Sequence, residues 1–120
     1  MDEFNEIIKI LKALSDENRV RILSLLNKRQ NICVCEIREI IGLSQPTISS
    51  HLKVLENAGL IENSKEGKWI NYKLNSYLGA EKRKILNQIL SAIDECKQIA
   101  SDNKKLEKVD RFRIIKANKY

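Results

Sequence analysis

Apolar residues recur at intervals of three and four along most of this chain, which is the spacing of amphipathic helices. The first such run covers Glu3 to Leu14, and a second run, capped by Ser15 or Asp16, reaches about Asn27. A longer run extends from Leu78 to Ala100. The pattern therefore predicts a mainly α-helical protein with two short helices at the start and one long helix near the end.

Alternation with a period of two replaces the helical spacing in one part of the chain. Leu60 to Ser64 is typical of a strand, residues 65–68 of a turn, and Trp69 to Leu74 of the returning strand, in which every second residue from Ile70 shares one face. Asn31 to Cys35 predicts a brief extended stretch before a further helix. The predicted fold class is thus mainly α with a small β-hairpin.

Two predicted helices meet at a tight corner within residues 37–59. Gly42 suits a left-handed helix end, Ser44 suits an N-cap, and Pro46 falls in the first turn of the second helix. The apolar face of that helix consists of Ile48, Leu52 and Leu55. Such a pair of helices is a helix-turn-helix, whose second helix enters the major groove of DNA. The hairpin that follows is then a wing.

The opposite side of the second helix carries short hydrogen-bonding side chains instead of the Glu and Lys of an ordinary solvated face. Small hydroxyls and amides near a helix N-terminus suit contacts with phosphates and base edges, and lysines at the wing tip suit phosphates. The residues that we predict to contact double-stranded operator DNA are Gln45, Thr47, Ser49, Ser50, His51, Lys53, Lys65 and Lys68. Ser49 and Ser50 are the first candidates for the groove. Taken alone, the motif also fits a plain helical hairpin with a polar start.

The charge of the chain is concentrated near its end. The net charge is +6, and residues 104–120 contribute seven basic and two acidic side chains, or +5. The basic composition is therefore weak support for DNA binding by the helices themselves. We predict a DNA-binding and dimerisation domain over residues 1–103 and a basic C-terminal tail over residues 104–120.

The composition also excludes several classes of protein. The start of the chain is acidic, and no apolar run approaches the roughly 18 residues of a membrane span, so we expect a cytoplasmic protein with no membrane partner. No Ser/His/Asp set, paired acid site or phosphate loop is present, so an enzyme is not predicted. Cys33, Cys35 and Cys96 are expected to be thiols and not a structural disulfide.

The long last helix predicts a homodimer. Its apolar stripe, which includes Ile85, Ile89, Ile93 and Ile99, has little room to be buried in so small a domain. With Phe4, Ile7 and Leu11 of the first helix it would form a two-fold interface through the terminal helices. The alternative is that the long helix packs back on its own wing.

Four segments together resemble one family of regulators. LKALSDENRVRILSLL, CVCEI, LSQPTISSHLKVLENAGLI and EGKWINYKL, which lie in this order from about Ile8 to Leu74, are similar to the ArsR/SmtB winged-helix repressors. Members of that family are homodimers that repress metal or metalloid resistance genes and release DNA when an inducer binds. The CVC segment resembles that of the arsenite-sensing group. The resemblance implies As(III) or Sb(III) as the inducer, with Cd(II) and Pb(II) as further candidates, and no cofactor in the DNA-bound form.

The chemistry of Cys33 and Cys35 fits this implication. Trivalent arsenic and antimony are thiophilic, so thiolates are the expected ligands. Two residues at i and i+2 diverge by about 200° on a regular helix, but they can converge at a strand-to-helix junction. A helix N-terminus there favours the thiolate. The alternative is that both are small buried apolar residues.

A third ligand is not assigned by the sequence. Where some arsenite sensors have a third cysteine, this chain has Arg38, and Cys96 is a candidate whose place on the apolar stripe favours packing instead. His51 is the only histidine, so the His-rich zinc site of other family members cannot be assembled.

Three other functions remain open. A repressor of the same fold would use the thiols as a redox or persulfide switch, and a constitutive DNA-binding protein would have inert cysteines. A thiol oxidoreductase is the alternative from another class, but CxC lacks the CxxC spacing of that motif.

Overall fold

The computed structural model of the chain describes residues 2–118, with side chains as far as Ile114. Its elements are α1 (Glu3–Leu14), α2 (Glu17–Lys28), β1 (Ile32–Cys33), α3 (Val34–Ile41), α4 (Gln45–Asn57), β2 (Ile61–Glu66), β3 (Trp69–Leu74), α5 (Ala80–Ile93), α6 (Lys97–Lys108) and α7 (Arg111–Asn118). The predicted class, mainly α with a small β-hairpin in a winged helix-turn-helix, is confirmed. Of the predicted basic tail, residues 119–120 and the side chains after Ile114, including that of Ile115, lie outside the described part of the chain.

Helices α1 and α2 begin where short acidic side chains cap them. Asp2 accepts a hydrogen bond from the Asn5 N–H at 2.8 Å, and Asp16 accepts from the Asn18 N–H at 2.8 Å. Such caps satisfy backbone donors that a helix start leaves unpaired. The apolar faces of α2, α3 and α4 then meet in one core that includes Ile22, Leu25, Leu26, Ile37, Ile40, Ile48, Leu52 and Leu55.

The corner between α3 and α4 is formed as the sequence predicts. Gly42 has φ +83°, and its N–H donates to the Arg38 carbonyl at 2.9 Å, which ends α3. Ser44 caps α4, whose first turn contains Pro46. The left-handed glycine and the short Leu43–Ser44 link set α4 across α3, so the exposed side of α4 faces away from the core.

The sheet is antiparallel in the order β1-β3-β2. Cys33 of β1 lies opposite Asn71, and Tyr72 is buried on the core side. The alternation predicted for β3 does not separate buried from exposed residues at every position, because Ile70 is 45% exposed while Asn71 is 3% exposed. Ile70 pairs only with Lys65 of β2, beyond the end of the short strand β1, so no core element covers it.

The single long helix predicted from Leu78 to Ala100 is wrong, since the structure divides this region into α5 and α6. Cys96 has extended backbone angles (φ −64°, ψ 145°) at the start of α6. The change of direction brings α6 back against α2 and α3, where Ile99 and Leu106 are buried. Part of the stripe that we assigned to a partner subunit is thus covered within the chain, by α2 and not by the wing.

A buried ion pair attaches α6 to α2. Arg21 donates from Nε and Nη2 to the two carboxylate oxygens of Asp102, each at 2.9 Å, and Gln98 donates to the same carboxylate at 3.0 Å. The side chain of Asp102 is 1% exposed. Its hydrogen bonds raise the pKa of the Arg21 guanidinium above the ordinary value. The boundary that we place between residues 103 and 104 falls inside this helix.

Across residues 2–118, none of the helices combines the length and the apolar character that crossing a bilayer requires.

Candidate nucleic-acid interface and cysteine site

Helix α4 presents the predicted groove-facing residues on its exposed side. Gln45, Thr47, Ser49, Ser50 and Lys53 are exposed, whereas the apolar residues of the opposite side are buried. The Ser44 hydroxyl lies 2.9 Å from the Thr47 hydroxyl, so these two side chains fix each other at the helix start. Ser49 and Ser50 are open to solvent, and their contact with a major groove stays a prediction.

His51 is placed differently from the other predicted contacts. It is half-buried, and its Nδ1 lies 3.4 Å from Nη1 of Arg19. Arg19 in turn donates from Nε to the Ala13 carbonyl at 2.8 Å. His51 therefore packs toward the corner between α1 and α2, and its contact with DNA stays a prediction.

The wing is the hairpin of β2 and β3, residues 61–74. Lys65 and Lys68 are exposed beside the turn at Gly67, which has φ +61°. The Lys68 ammonium also lies 5.5 Å from the centroid of the Trp69 ring, a cation–π distance. Lys73 has an ion-pair partner in Glu62 at 3.6 Å. Of these three lysines, Lys65 and Lys68 are thus placed at the tip of the wing.

Cys33 and Cys35 converge at the junction between β1 and α3. Cys33 is the last residue of β1 and the N-cap of α3, and Cys35 is in the first turn of that helix. Their Cα atoms are 5.4 Å apart, and their sulfurs form a disulfide. The expectation of free thiols is therefore wrong for this structure, because the junction brings the two sulfurs into bonding contact. The predicted convergence at the junction is confirmed.

Glu36 anchors this junction and was missed by the sequence reasoning. Its carboxylate accepts the Cys33 N–H at 3.0 Å and pairs with Arg29 at 2.9 Å and with Arg111 at 3.0 Å. The side chain of Glu36 is only 4% exposed. A carboxylate with these partners is satisfied, so it positions Cys33 and is a poor candidate for a metal ligand. The sequence signal was a Glu three residues after a helix N-cap.

Arg111 extends the same network to the wing. Its Nη2 donates to the Asn31 carbonyl at 2.9 Å, and its guanidinium carbon lies 5.2 Å from the centroid of the Trp69 ring. Phe112 packs edge-on against Trp69, with 5.0 Å between the ring centroids. The segment that we predicted only as a basic tail therefore connects the start of α3 to β3.

Both cysteines line a cavity of about 220 Å³, together with Val34, Gln45, Lys68, Trp69 and Ile70. Gln45 and Lys68 are also predicted DNA contacts, one at the start of α4 and one at the wing. The cysteine site and the candidate DNA surface thus share a boundary. A group bound to the sulfurs adds volume at the place where these two elements approach each other.

Cys96 lies far from this cavity within the chain. It is exposed at the start of α6, beside Asp16 and Val20 near the first turn of α2. Cys33 follows the opposite end of α2, which has 12 residues and is therefore about 18 Å long. Over residues 2–118, no group of three His, Cys, Asp or Glu side chains is arranged to hold a metal ion. Ligation by Cys96 of the same chain is not supported by this placement.

Comparison with known proteins gives one consistent group of relatives. A profile of the family described as "Bacterial regulatory protein, arsR family" matches residues 16–63. The arsenical resistance operon repressor of Escherichia coli (strain K12) is 38% identical over 81 residues, which are 68% of this chain and 69% of that protein. A cadmium resistance transcriptional regulatory protein CadC homolog of Staphylococcus aureus is 41% identical over 70 residues, 58% of each chain.

Solved structures agree with these relatives. The homodimeric winged helix-turn-helix DNA-binding domain of a possible ArsR-family transcriptional regulator from Mycobacterium bovis superposes with a TM-score of 0.65. The alignment has 26% identity and covers 78% of this chain and 83% of that structure. A similarity of this size indicates that the two chains share the winged helix-turn-helix fold.

Proposed function

Since this chain belongs to the arsR family of bacterial regulatory proteins, we propose that it is a homodimeric repressor that leaves its operator when As(III) or Sb(III) binds Cys33 and Cys35. Relatives named for arsenical and cadmium resistance support a metal-responsive transcriptional repressor. The observation that carries the finer proposal is the cavity that both cysteines share with Gln45 and Lys68.

Binding requires the reduced cysteines. Two cellular thiols, or one dithiol, supply two electrons and two protons to the Cys33–Cys35 disulfide and become a disulfide themselves. The cytoplasm, where we place this protein, keeps such thiols reduced. Arsenous acid then exchanges two As–O bonds for two As–S bonds, and each thiol proton leaves with a hydroxide as water. Arsenic stays trivalent, so the binding step itself transfers no electrons. Soft thiolates suit As(III) and Sb(III), and Cd(II) or Pb(II) would use the same sulfurs.

Release follows from the position of the site. A metalloid on the two sulfurs occupies the space between the start of α4 and the wing, so it changes the separation of Gln45 and Lys68. It also alters the junction that Glu36 and Arg111 hold. The two effects are thermodynamically linked. If the metalloid lowers the affinity for operator DNA by some factor, operator DNA lowers the affinity for the metalloid by the same factor.

Ser49 and Ser50 provide the test of DNA contact. We expect Ser49→Ala with Ser50→Ala to weaken operator binding roughly tenfold to hundredfold, because each hydroxyl lost at a base edge or phosphate removes a direct contact. Fluorescence anisotropy with duplex DNA from upstream of the protein's own gene measures the change. The matched control is Ser91→Ala with Ser101→Ala, which removes two exposed hydroxyls from α5 and α6. Equal affinity of both double variants would contradict the assignment of α4 to the groove.

We further propose that the dimer forms through the exposed apolar side chains of α1 and α5. Phe4 is 72% exposed, Leu11 51% and Ile85 40%, and Lys82 pairs with Glu6, which connects the start of α5 to α1. A second copy of the chain is the expected partner, because the similar domain of Mycobacterium bovis is homodimeric. Two recognition helices then meet successive major grooves of a palindromic operator.

Leu11→Glu is expected to convert this dimer into a monomer. A carboxylate at the centre of an apolar interface has no partner there, and its burial is strongly unfavourable. Sedimentation equilibrium measures the mass, and operator affinity should fall with it. Lys9→Glu is the control, since it places the same group on the exposed part of α1. A Leu11→Glu variant that remains dimeric would place the interface elsewhere.

The disulfide favours a second candidate function, a redox-responsive repressor. A hydroperoxide would take two electrons from the Cys33 and Cys35 thiols, giving the disulfide and returning their protons in water and alcohol. This candidate predicts that peroxide releases DNA in the absence of any metalloid. Release by peroxide alone would support it over the metalloid mechanism, and a protein that responds to neither reagent would be a constitutive regulator.

A further inference from the structure

Two buried polar atoms without a hydrogen-bond partner lie on β3 near the cysteine pair. Within the described part of the chain, the buried side-chain atoms without such a partner are Trp69 Nε1, Asn71 Oδ1 and Asn103 Oδ1. Trp69 lines the cavity that contains both cysteines, and Asn71 lies directly opposite Cys33 in the sheet. One of these atoms is an obligatory donor and the other an acceptor, and both belong to residues of β3, one of which lies opposite Cys33.

The sheet register places these side chains on one face. Directly opposite residues of an antiparallel pair point to the same side with their Cβ atoms about 5 Å apart, which applies to Cys33 and Asn71. Trp69 precedes Asn71 by two residues on the same strand and therefore shares that face. The Asn71 amide donates from Nδ2 to the Glu66 carboxylate at 2.8 Å, which leaves Oδ1 as the unpaired acceptor.

A site of two thiolates leaves the third bond of arsenic to another group. Trivalent arsenic forms three bonds, and the described residues provide no cluster of three His, Cys, Asp or Glu side chains. A hydroxyl group has one proton to donate and lone pairs that accept, as the serine hydroxyl does. Its requirements therefore match the free Trp69 N–H and the free Asn71 carbonyl oxygen.

We propose that As(III) bound to Cys33 and Cys35 keeps one hydroxyl, which accepts the Trp69 Nε1–H and donates to Asn71 Oδ1. This inference rests on the proposed metalloid site and names its third position. Arsenous acid loses two of its three hydroxyls as water when the thiols bind, and the third remains on arsenic. Trp69 and Asn71 thus become specificity residues for an inducer that carries an oxygen, in preference to an arsenical whose third group is carbon.

A reduced Cys33 thiol is the simplest competing partner for these atoms. Its S–H would donate to Asn71 Oδ1, but it would leave the Trp69 N–H without a strong acceptor because thiol sulfur accepts weakly. The two explanations differ in one respect. Only the arsenic-bound hydroxyl makes Trp69 important for binding arsenite and unimportant for binding an arsenical that has no hydroxyl.

The test compares arsenite with phenylarsine oxide, which on binding two thiolates retains a phenyl group and no hydroxyl. Isothermal titration calorimetry of the full chain, reduced with a phosphine, gives both affinities for the wild type, Trp69→Phe and Asn71→Ala. We expect each variant to bind arsenite about tenfold more weakly and phenylarsine oxide within about threefold of the wild type, since only arsenite loses a hydrogen bond. Asn63→Ala, on exposed β2 of the same hairpin, is the control for deletion of an amide.

The outcomes separate this inference from the proposed function. If the wild type binds both arsenicals and each variant loses the two affinities equally, Trp69 and Asn71 only pack the site and the hydroxyl proposal is wrong. Unchanged arsenite affinity in both variants would also overturn it. If the wild type binds neither arsenical, the proposed metalloid site is wrong, and the proposal for its third ligand is wrong as well. A loss confined to arsenite supports the proposal.

Discussion

Replacing Cys33 or Cys35 by serine is expected to abolish the response to arsenite while operator affinity stays within about twofold of the wild type. A hydroxyl is a poor ligand for a soft metalloid, and one remaining thiolate cannot hold arsenic against water. The exposed surfaces of α4 and of the wing are unchanged by the substitution. Anisotropy titrations of operator DNA with and without arsenite measure the response, for which we expect about tenfold or more in the wild type.

Cys96→Ser is the matched control for these two variants. It removes a thiol that is exposed at the start of α6, and it should respond to arsenite as the wild type does. Arsenic bound per chain, measured after gel filtration, should fall from one in the wild type and in Cys96→Ser to none in Cys33→Ser. A full response in both Cys33→Ser and Cys35→Ser would show that the sensor lies elsewhere.

Asp102→Ala is expected to lower the free energy of unfolding by about 3–5 kcal/mol, the usual cost of breaking a buried ion pair on one side. The substitution leaves the Arg21 guanidinium, which is 15% exposed, without the carboxylate that accepts two of its hydrogen bonds. This is a large part of the stability of a small domain. Urea denaturation followed by circular dichroism measures the loss.

Asp94→Ala gives the comparison at an exposed ion pair. Asp94 lies 2.7 Å from Lys28, but these side chains are 45% and 40% exposed, so its loss should cost less than about 1 kcal/mol. Similar urea midpoints for Asp102→Ala and Asp94→Ala would contradict a structural role of the Arg21–Asp102 pair. A large difference would show that α6 unfolds together with the helix-turn-helix and is not an independent tail.

The local elements were predictable because their signals are local. The limits of α1 and of β3, the glycine at the α3–α4 corner and the Ser44 cap all follow from residues that are neighbours in sequence. The same holds for the convergence of Cys33 and Cys35, since a strand end followed at once by a helix is visible in the sequence. These features position the recognition helix and the cysteine pair.

The rest depends on contacts between distant residues. The helical spacing of apolar residues continues through residues 94–96. The sequence therefore did not indicate the change of direction that places Asp102 of α6 against Arg21. The opposition of Cys33 and Asn71 requires the register of β1 on β3. Arg111 is one of several basic residues near the end of the chain, and only the fold shows that it meets Glu36 and Trp69.

Release of operator DNA by a thiol-bound metalloid is tested most directly by one titration of the reduced wild-type protein. Fluorescence anisotropy on DNA from upstream of its own gene gives the dissociation constant in buffer, in arsenite, and in peroxide without arsenite. We predict that arsenite raises the dissociation constant about tenfold or more under reducing conditions. Superimposable curves with and without arsenite would contradict the proposal, and release by peroxide alone would assign the cysteine pair to redox sensing.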